Sequence, residues 1–213
     1  MVNQFDSRVS LAILRSWSRF VSSSRWPHLL LEWSAHGVPW LAGSALVFAY
    51  VCRRSEYSPE TRRKFALLTL GKRFRSIPFH LLRIPGILLD LIAVGVIKLS
   101  VRRQRPPYNR DDQIYEAPVA DQYSFPSGHT SRAAMLAILT IELCGVRRIY
   151  SRLFVYTLPV LLGISRIAMG RHYFSDVIGG LVLGAVEALV VLEIPAYPLA
   201  EAIKLVSGFL ARH

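Results

Sequence analysis

Apolar runs of nearly membrane-spanning length recur along this chain, and short basic segments separate them. The clearest runs cover residues 37–51, 87–103, 153–164 and 176–191. A helix needs about 20 mostly apolar residues to cross the hydrocarbon core of a bilayer. Irregular backbone is not tolerated there, because nothing satisfies its hydrogen bonds. The pattern therefore predicts an all-α fold, an integral membrane bundle of about five to six helices.

Charge and apolar content together exclude several protein classes. The 213 residues carry a formal charge of +12, and 52% of them are apolar. Soluble basic proteins are seldom so apolar, and nucleic-acid binders rarely concentrate their apolar residues into runs. Basic segments beside apolar runs fix the orientation in a membrane and attract anionic lipids or ligands. We therefore expect membrane lipids as partners and no nucleic acid.

Two regions are predicted along the chain. Residues 1–35 are assigned to an N-terminal interfacial segment, because the apolar residues of 9–33 recur at helical spacing among arginines suited to lipid headgroups. Residues 36–213 are assigned to a membrane-embedded domain that carries the chemistry. The basic loop at 62–64 follows the run at 37–51 and is predicted to face the cytoplasm.

Residues 71–86 interrupt a membrane span that begins at 65–70 and resumes at 87–99. This interruption contains four cations and two prolines, which do not belong in hydrocarbon. We therefore expect residues 71–86 to leave the membrane plane as an interfacial loop, or to be a splice-derived segment that compromises the span.

Several other residues inside the apolar runs are given packing roles. Gly179, Gly180 and Gly184 are small contacts suited to close helix packing. The ionisable residues Asp90, Glu142 and Glu187 are interpreted as structural, because helix–helix hydrogen bonding also uses such groups.

A histidine and an aspartate precede the last apolar run at helical spacing. If a helix begins near His172, Asp176 lies four residues later on the same face and can hold one ring nitrogen. The other nitrogen then presents its lone pair as a nucleophile, while Arg166 can bind the oxygens of a phosphate. An interfacial helix with a snorkelling arginine and a hydrogen-bonded histidine is the alternative interpretation of this stretch alone.

Two further segments favour the catalytic interpretation. Lys98 and Arg105 lie seven residues apart, about two helical turns, and can point the same way. Ser127 precedes His129 and an apolar run, which is the pattern of a capped, anion-binding helix N-terminus. Alternating spans place both segments and the 165–176 stretch on one face of the membrane. The sequence therefore predicts a site for phosphoryl transfer at the membrane interface.

The three segments together resemble the signature of the type 2 phosphatidic acid phosphatase family, which is related in its site to the vanadium haloperoxidases and bacterial acid phosphatases. The parts are Lys98 with Arg105-Pro106, then Pro126-Ser127-Gly128-His129, then Ser165-Arg166 with His172 and Asp176. All three occur at the family's spacing and in its order, and the strict match covers residues 98–176.

This resemblance implies a role for each signature residue. His172 would attack phosphorus to form a phosphohistidine, and Asp176 would hold its far nitrogen. His129 would protonate the leaving oxygen and then activate water. The family reaction needs no metal or other cofactor. Arg171 lies outside the signature and is predicted to contact headgroups. Five residues would hold the phosphate oxygens: Lys98, Arg105, Ser127, Gly128 and Arg166.

Within the family, the sequence segments at 36–40, 101–109 and 123–125 resemble most closely those of the polyisoprenoid (presqualene) diphosphate phosphatases and related plant-type lipid phosphatases. The resemblance implies that residues 36–213 form a lipid phosphatase domain acting on presqualene, farnesyl or geranylgeranyl diphosphate. Phosphatidate and sphingoid phosphates remain open as substrates, as does the oligomeric state. The expected location is the endoplasmic reticulum membrane or nuclear envelope, with the site facing the lumen.

Three other functions would use the same residues. A catalytically silent lipid-binding membrane protein would keep the anion pocket, although the intact His172, Asp176 and His129 argue against it. A metal-dependent hydrolase would use those three residues as ligands and would be sensitive to chelators. A vanadate-using peroxidase shares the pocket, and the predicted membrane spans disfavour it.

Overall fold

The computed structural model describes residues 4–20, 79–109, 122–143 and 145–193, together with the single residues 30, 33, 34, 42, 43 and 46. Five helices occupy this part of the chain: α1 (Gln4–Phe20), α2 (Phe79–Val101), α3 (Gly128–Leu143), α4 (Ile149–Ala168) and α5 (Phe174–Glu193). The one extended pairing among these residues is an isolated bridge between Gln104 and Tyr123. The predicted all-α class is confirmed.

The outer surface of the bundle is that of a membrane protein. Helices α4 and α5, 20 residues each, are long and apolar enough to cross a membrane. On α5 the exposed apolar residues recur every three or four positions and so form one stripe; they are Ile178, Val182, Val186 and Leu189. Helix α2 exposes an equivalent stripe, made of Leu88, Ile92, Val96 and Leu99. Contiguous apolar surface of this kind suits contact with lipid.

The core lies where α2, α3 and α5 meet. Helix α3 packs most extensively on α5 and also contacts α2 and α4. Ile87 from α2, Met135 and Leu139 from α3, and Ala188 and Val191 from α5 are each 0% exposed and form one apolar cluster. This cluster fixes the three helices that carry Lys98, His129 and Asp176.

Glycines on α5 allow its backbone to approach that of α3. A β-carbon built on Gly180 would lie 2.6 Å from the Ser127 carbonyl oxygen, and one on Gly184 would lie 2.1 Å from the Ser131 carbonyl oxygen. No larger residue fits at such distances without a shift of backbone. The predicted role in close helix packing is confirmed for Gly180 and Gly184, whereas Gly179 lies against the Phe125 ring in the turn before α3.

Buried charged and polar groups join the same three helices. The carboxylate of Asp90 on α2 lies 2.6 Å from the guanidinium of Arg132 on α3, and both side chains are almost fully buried. The Ser131 hydroxyl donates a 3.0 Å hydrogen bond to the Glu187 carboxylate on α5. Buried charges are tolerated when they are paired and hydrogen-bonded. These contacts supply the partners that a structural role for Asp90 and Glu187 requires.

The expected interruption at 71–86 is wrong for the residues that the structure describes. Helix α2 begins at Phe79 and runs without a break through Pro85 and Gly86 to Val101. A proline within a helix removes one backbone hydrogen bond. Packing offsets this loss, because Gly86 lies against Met135 and Val191 and the next residue, Ile87, is fully buried. Residues 71–78, the predicted span at 37–51 and the segment at 65–70 lie outside the described residues.

A substitution at the tightest helix contact tests this packing. We expect Gly184→Ala to lower the free energy of unfolding by about 1–3 kcal/mol or more, because the new methyl group overlaps backbone atoms of α3. The measurement is unfolding of the purified protein in mixed detergent micelles.

The matched control is Gly95→Ala on α2, where a built β-carbon has no atom within 4 Å. This change should raise stability by about 0.5–1 kcal/mol, since alanine favours the helix. Equal stability of the two variants would contradict the close α3–α5 contact.

Candidate active site

Backbone hydrogen bonds bring the three predicted segments together. The Ser127 N–H donates to the Asp176 carbonyl at 3.0 Å and thereby joins the start of α3 to the start of α5. The Ser124 N–H donates to the Arg103 carbonyl at 2.8 Å and ties the same turn to the end of α2. The end of α2 and the first turns of α3 and α5 therefore form one site.

His172 lies at the centre of this site. Its side chain is 2% exposed, and its Nδ1 atom lies 2.8 Å from the Ser124 carbonyl oxygen. A carbonyl oxygen only accepts hydrogen bonds, so Nδ1 carries the proton and Nε2 keeps its lone pair. The Asp176 carboxylate lies on the same side of the ring, 3.7 Å from Nδ1. The prediction had Asp176 hold this nitrogen; in the structure the direct hydrogen bond belongs to Ser124.

The surroundings keep the imidazole neutral. Burial is the main cause and lowers the pKa of His172 from its usual value near 6.5 to about 3. The positive charges of Arg105 and Arg166 act in the same direction, while Asp176 opposes them. A neutral imidazole with a free Nε2 lone pair is the form that can act as a nucleophile.

Helix α5 begins at Phe174, two residues later than the sequence predicts. Asp176 occupies the third helical position, and its carboxylate accepts a 2.8 Å hydrogen bond from the Tyr173 N–H. This is the return bond of a capping box, and it explains why the helix starts after Tyr173. The other carboxylate oxygen accepts a 2.7 Å hydrogen bond from Arg103, so Asp176 links the helix start to α2.

Four cations belong to this region, and two of them, Arg105 and Arg166, lie close enough to His172 to affect its pKa. Lys98, Arg166 and Arg171 are 4%, 1% and 1% exposed. Half-buried Arg105 donates a 3.4 Å hydrogen bond to the Arg171 carbonyl, next to His172. Arg171, which was expected to face headgroups, is thus inside the protein. Arginine and lysine side chains bind phosphate oxygens through charge-assisted hydrogen bonds, so this part of the site suits a phosphate.

The second segment contributes a helix N-terminus. Helix α3 begins at Gly128, as predicted, with Ser127 directly before it. The Ser127 side chain is 0% exposed, and its hydroxyl lies 2.9 Å from that of Thr130. His129 is half-buried in the first turn. The positive end of the helix dipole favours an anion at this position.

Sequence reasoning missed three residues of this region. Arg103 contacts the carboxylates of both Asp6 and Asp176, and Ser10 of α1 bonds to the start of α5. Asp6 and Ser10 lie four residues apart on one face of α1, which is the only signal that the sequence offers. Across the described part of the chain, no group of three or more His, Cys, Asp and Glu side chains is placed to hold a metal ion.

Comparison with known proteins gives a match to one family model and to named phosphatases. Residues 81–198 match the model of the PAP2 superfamily. The chain is 39% identical over 151 residues to a probable lipid phosphate phosphatase beta of Arabidopsis thaliana, a match that covers 60% of this chain and 68% of that protein. It is 36% identical over 100 residues to a decaprenylphosphoryl-5-phosphoribose phosphatase of Mycobacterium tuberculosis, covering 45% of this chain and 50% of the relative.

Among solved structures, a PAP2-type phosphatidylglycerolphosphate phosphatase of Bacillus subtilis aligns with a TM-score of 0.45 and 20% identity. That alignment covers 87% of this chain and 92% of the bacterial one.

The protonation state of His172 can be measured directly. We expect His172 to stay neutral, with its proton on Nδ1, from pH 8 down to about pH 4, because its pKa lies near 3. Nitrogen NMR of the 15N-histidine-labelled protein in micelles reports both the charge and the tautomer, and His172→Gln identifies the signal. An imidazolium at pH 6, or a proton on Nε2, would contradict this geometry.

Proposed function

The chain belongs to the PAP2 superfamily, and from this premise we propose that it is an integral membrane lipid phosphatase acting on polyisoprenoid diphosphates. One observation carries the proposal: a buried, neutral histidine with its proton on Nδ1 lies beside Arg105 and Arg166 at the ends of apolar helices. Phosphoryl transfer needs a nucleophile and positive charge around the phosphate oxygens. This site offers both.

The reaction proceeds in two steps. Nε2 of His172 attacks phosphorus, the bond from phosphorus to the leaving oxygen breaks, and His129 gives that oxygen a proton. Water then attacks the phosphohistidine, His129 takes a proton from the water, and inorganic phosphate leaves while His172 returns to its starting form. Ser124 accepts the Nδ1 proton of His172, and Asp176 helps to position the ring by accepting the N–H of the next residue, Tyr173. The phosphate oxygens are held by Lys98, Arg105, Ser127, Gly128 and Arg166.

A lipid substrate suits the position of this site. The exposed apolar stripes of α2 and α5 face the bilayer, so a hydrocarbon chain can stay in the membrane while its phosphate reaches His172 at the interface. The named relatives support this class, since one is called a lipid phosphate phosphatase and another acts on a decaprenylphosphoryl sugar phosphate. We favour presqualene, farnesyl or geranylgeranyl diphosphate because of the subfamily resemblance around the signature.

The proposed location is the endoplasmic reticulum membrane or the nuclear envelope. With the basic loop at 62–64 in the cytoplasm, the site faces the lumen. The second candidate function is a broad phosphatase for phosphatidate and sphingoid phosphates. Its support is the name of the plant relative, which specifies a lipid phosphate and no isoprenoid.

Phosphate release by the detergent-purified protein tests the proposal. We expect release from farnesyl and presqualene diphosphates to exceed release from phosphatidate, and EDTA to leave the rate unchanged. His172→Gln should lower the rate at least about 10³-fold, because it removes the nucleophile. Arg166→Gln should lower it about 10²–10³-fold, because a donor to the developing charge is lost.

The matched control for a lost cation is Arg152→Gln, since Arg152 is 42% exposed and lies 3.8 Å from Glu142 on the surface of the bundle. It should keep the wild-type rate. Faster release from phosphatidate would favour the broad phosphatase. A rate abolished by EDTA would point to a metal-dependent hydrolase, and no release from any substrate would favour a silent lipid-binding protein.

A further inference from the structure

Helix α1 caps the helix that follows the histidine. The first N–H groups of any helix have no partner within the helix itself. In α5, the N–H of Phe174 donates to the Ser10 hydroxyl oxygen and the N–H of Ser175 donates to the Asp6 carboxylate, both at 2.9 Å. Caps of this kind usually come from the residue just before the helix. Here they come from residues more than 160 positions earlier in the chain.

The side chains of Asp6 and Ser10 are buried and hydrogen-bonded at this contact between α1 and α5. They are 6% and 0% exposed, and the Ser10 hydroxyl donates to the Asp6 carbonyl at 2.6 Å. The second carboxylate oxygen of Asp6 accepts a 2.5 Å hydrogen bond from the Ser175 hydroxyl. Burial would raise the pKa of Asp6, but hydrogen bonds from Ser175 and Arg103 outweigh it and hold the pKa below its usual value. The carboxylate therefore stays charged near neutral pH.

Arg103 joins α1 to the carboxylate beside His172. One terminal nitrogen of its guanidinium contacts the Asp6 carboxylate. The other donates to Asp176 at 2.7 Å and to the Ser175 hydroxyl at 2.6 Å. The guanidinium carbon also lies 4.3 Å from the centre of the Tyr173 ring. Only a planar, forked cation can hold two carboxylates in this way, and lysine cannot replace it.

We propose that Arg103 and Asp6 are positioning residues that hold Asp176 and the first turn of α5 so that His172 aims Nε2 at the phosphate. Asp6 fixes one side of the guanidinium, and Arg103 in turn fixes Asp176. Helix α1 is therefore a required part of the active site. The inference rests on the proposed function, because its purpose is the alignment of the nucleophile.

Kinetics of the full-length protein test this assignment. Asp6→Asn and Arg103→Gln should each lower kcat for farnesyl diphosphate about 10- to 100-fold, since small misplacements of reacting groups have effects of this size. KM should change less than about threefold, because the two side chains bind each other, Ser175 and Asp176 and are not among the proposed phosphate-binding residues. The double variant should lose less than the product of the two single losses, because Asp6 acts partly through Arg103.

Arg102→Gln is the matched control. This neighbouring cation is exposed, and its Nε donates to the Leu99 carbonyl within α2. It should keep the wild-type kcat. Detergent gel filtration shows which variants are folded, and Asp6→Asn preserves the shape of the side chain.

A binding measurement separates positioning from a general loss of structure. Orthovanadate forms an adduct with a correctly aimed histidine, whereas inorganic phosphate needs only the surrounding cations. Arg103→Gln and Asp6→Asn should weaken orthovanadate binding at least about tenfold and leave phosphate binding within about twofold of wild type. Calorimetry on the detergent-solubilised protein measures both.

The contrary results distinguish failure of this inference from failure of the proposed function. Wild-type kcat in Asp6→Asn, equal loss of orthovanadate and phosphate binding, or multiplying effects in the double variant would overturn the inference. A wild-type protein that binds orthovanadate with the expected dependence on Arg103 but hydrolyses no lipid would overturn the proposed function alone. A wild-type protein that neither binds orthovanadate nor hydrolyses lipid would overturn both.

Discussion

The close approach of α3 and α5 is the constraint on which the rest of the structure depends. Gly180 and Gly184 bring the backbone of α5 against the carbonyl groups of Ser127 and Ser131. At that separation the Ser127 N–H reaches the Asp176 carbonyl, and the turn before α3 lies against His172. Wider spacing would break both links. Small residues are the usual means of close packing between membrane helices, where lipid offers no hydrophobic drive for helix association.

Electrostatics then give the site its chemistry. Burial and the neighbouring cations Arg105 and Arg166 keep the His172 imidazole neutral. In the proposed reaction, the same positive charges would attract the phosphate and keep the His172 nucleophile unprotonated, so one arrangement would serve both binding and reactivity. Under the proposed function, the position of the site at the ends of apolar helices would favour phosphates that are attached to lipids, because a soluble phosphate would gain nothing from the adjoining bilayer.

Local sequence patterns predict those features of the structure that depend on interactions between residues close in the chain. The start of α3 at Gly128, the glycine contacts of α5 and the neighbourhood of His172 and Asp176 follow from capping and helical spacing. The predicted interruption at 71–86 is wrong in its described part because charge and proline content do not reveal the core contacts of Gly86 and Ile87. The role of Arg103 was missed for a different reason. Its partner Asp6 lies 97 positions away, and no periodicity connects residues so distant.

The central claim is that His172 carries the phosphoryl group between the two steps of the reaction. The most direct test is to mix the protein with a lipid diphosphate, quench it in alkali within one turnover, and locate the phosphoryl group by mass spectrometry, since phosphohistidine survives alkali. The account predicts a phosphoryl group on the peptide that contains His172, and none in His172→Gln. A phosphoryl group on another residue, or full-rate phosphate release by His172→Gln, would contradict it.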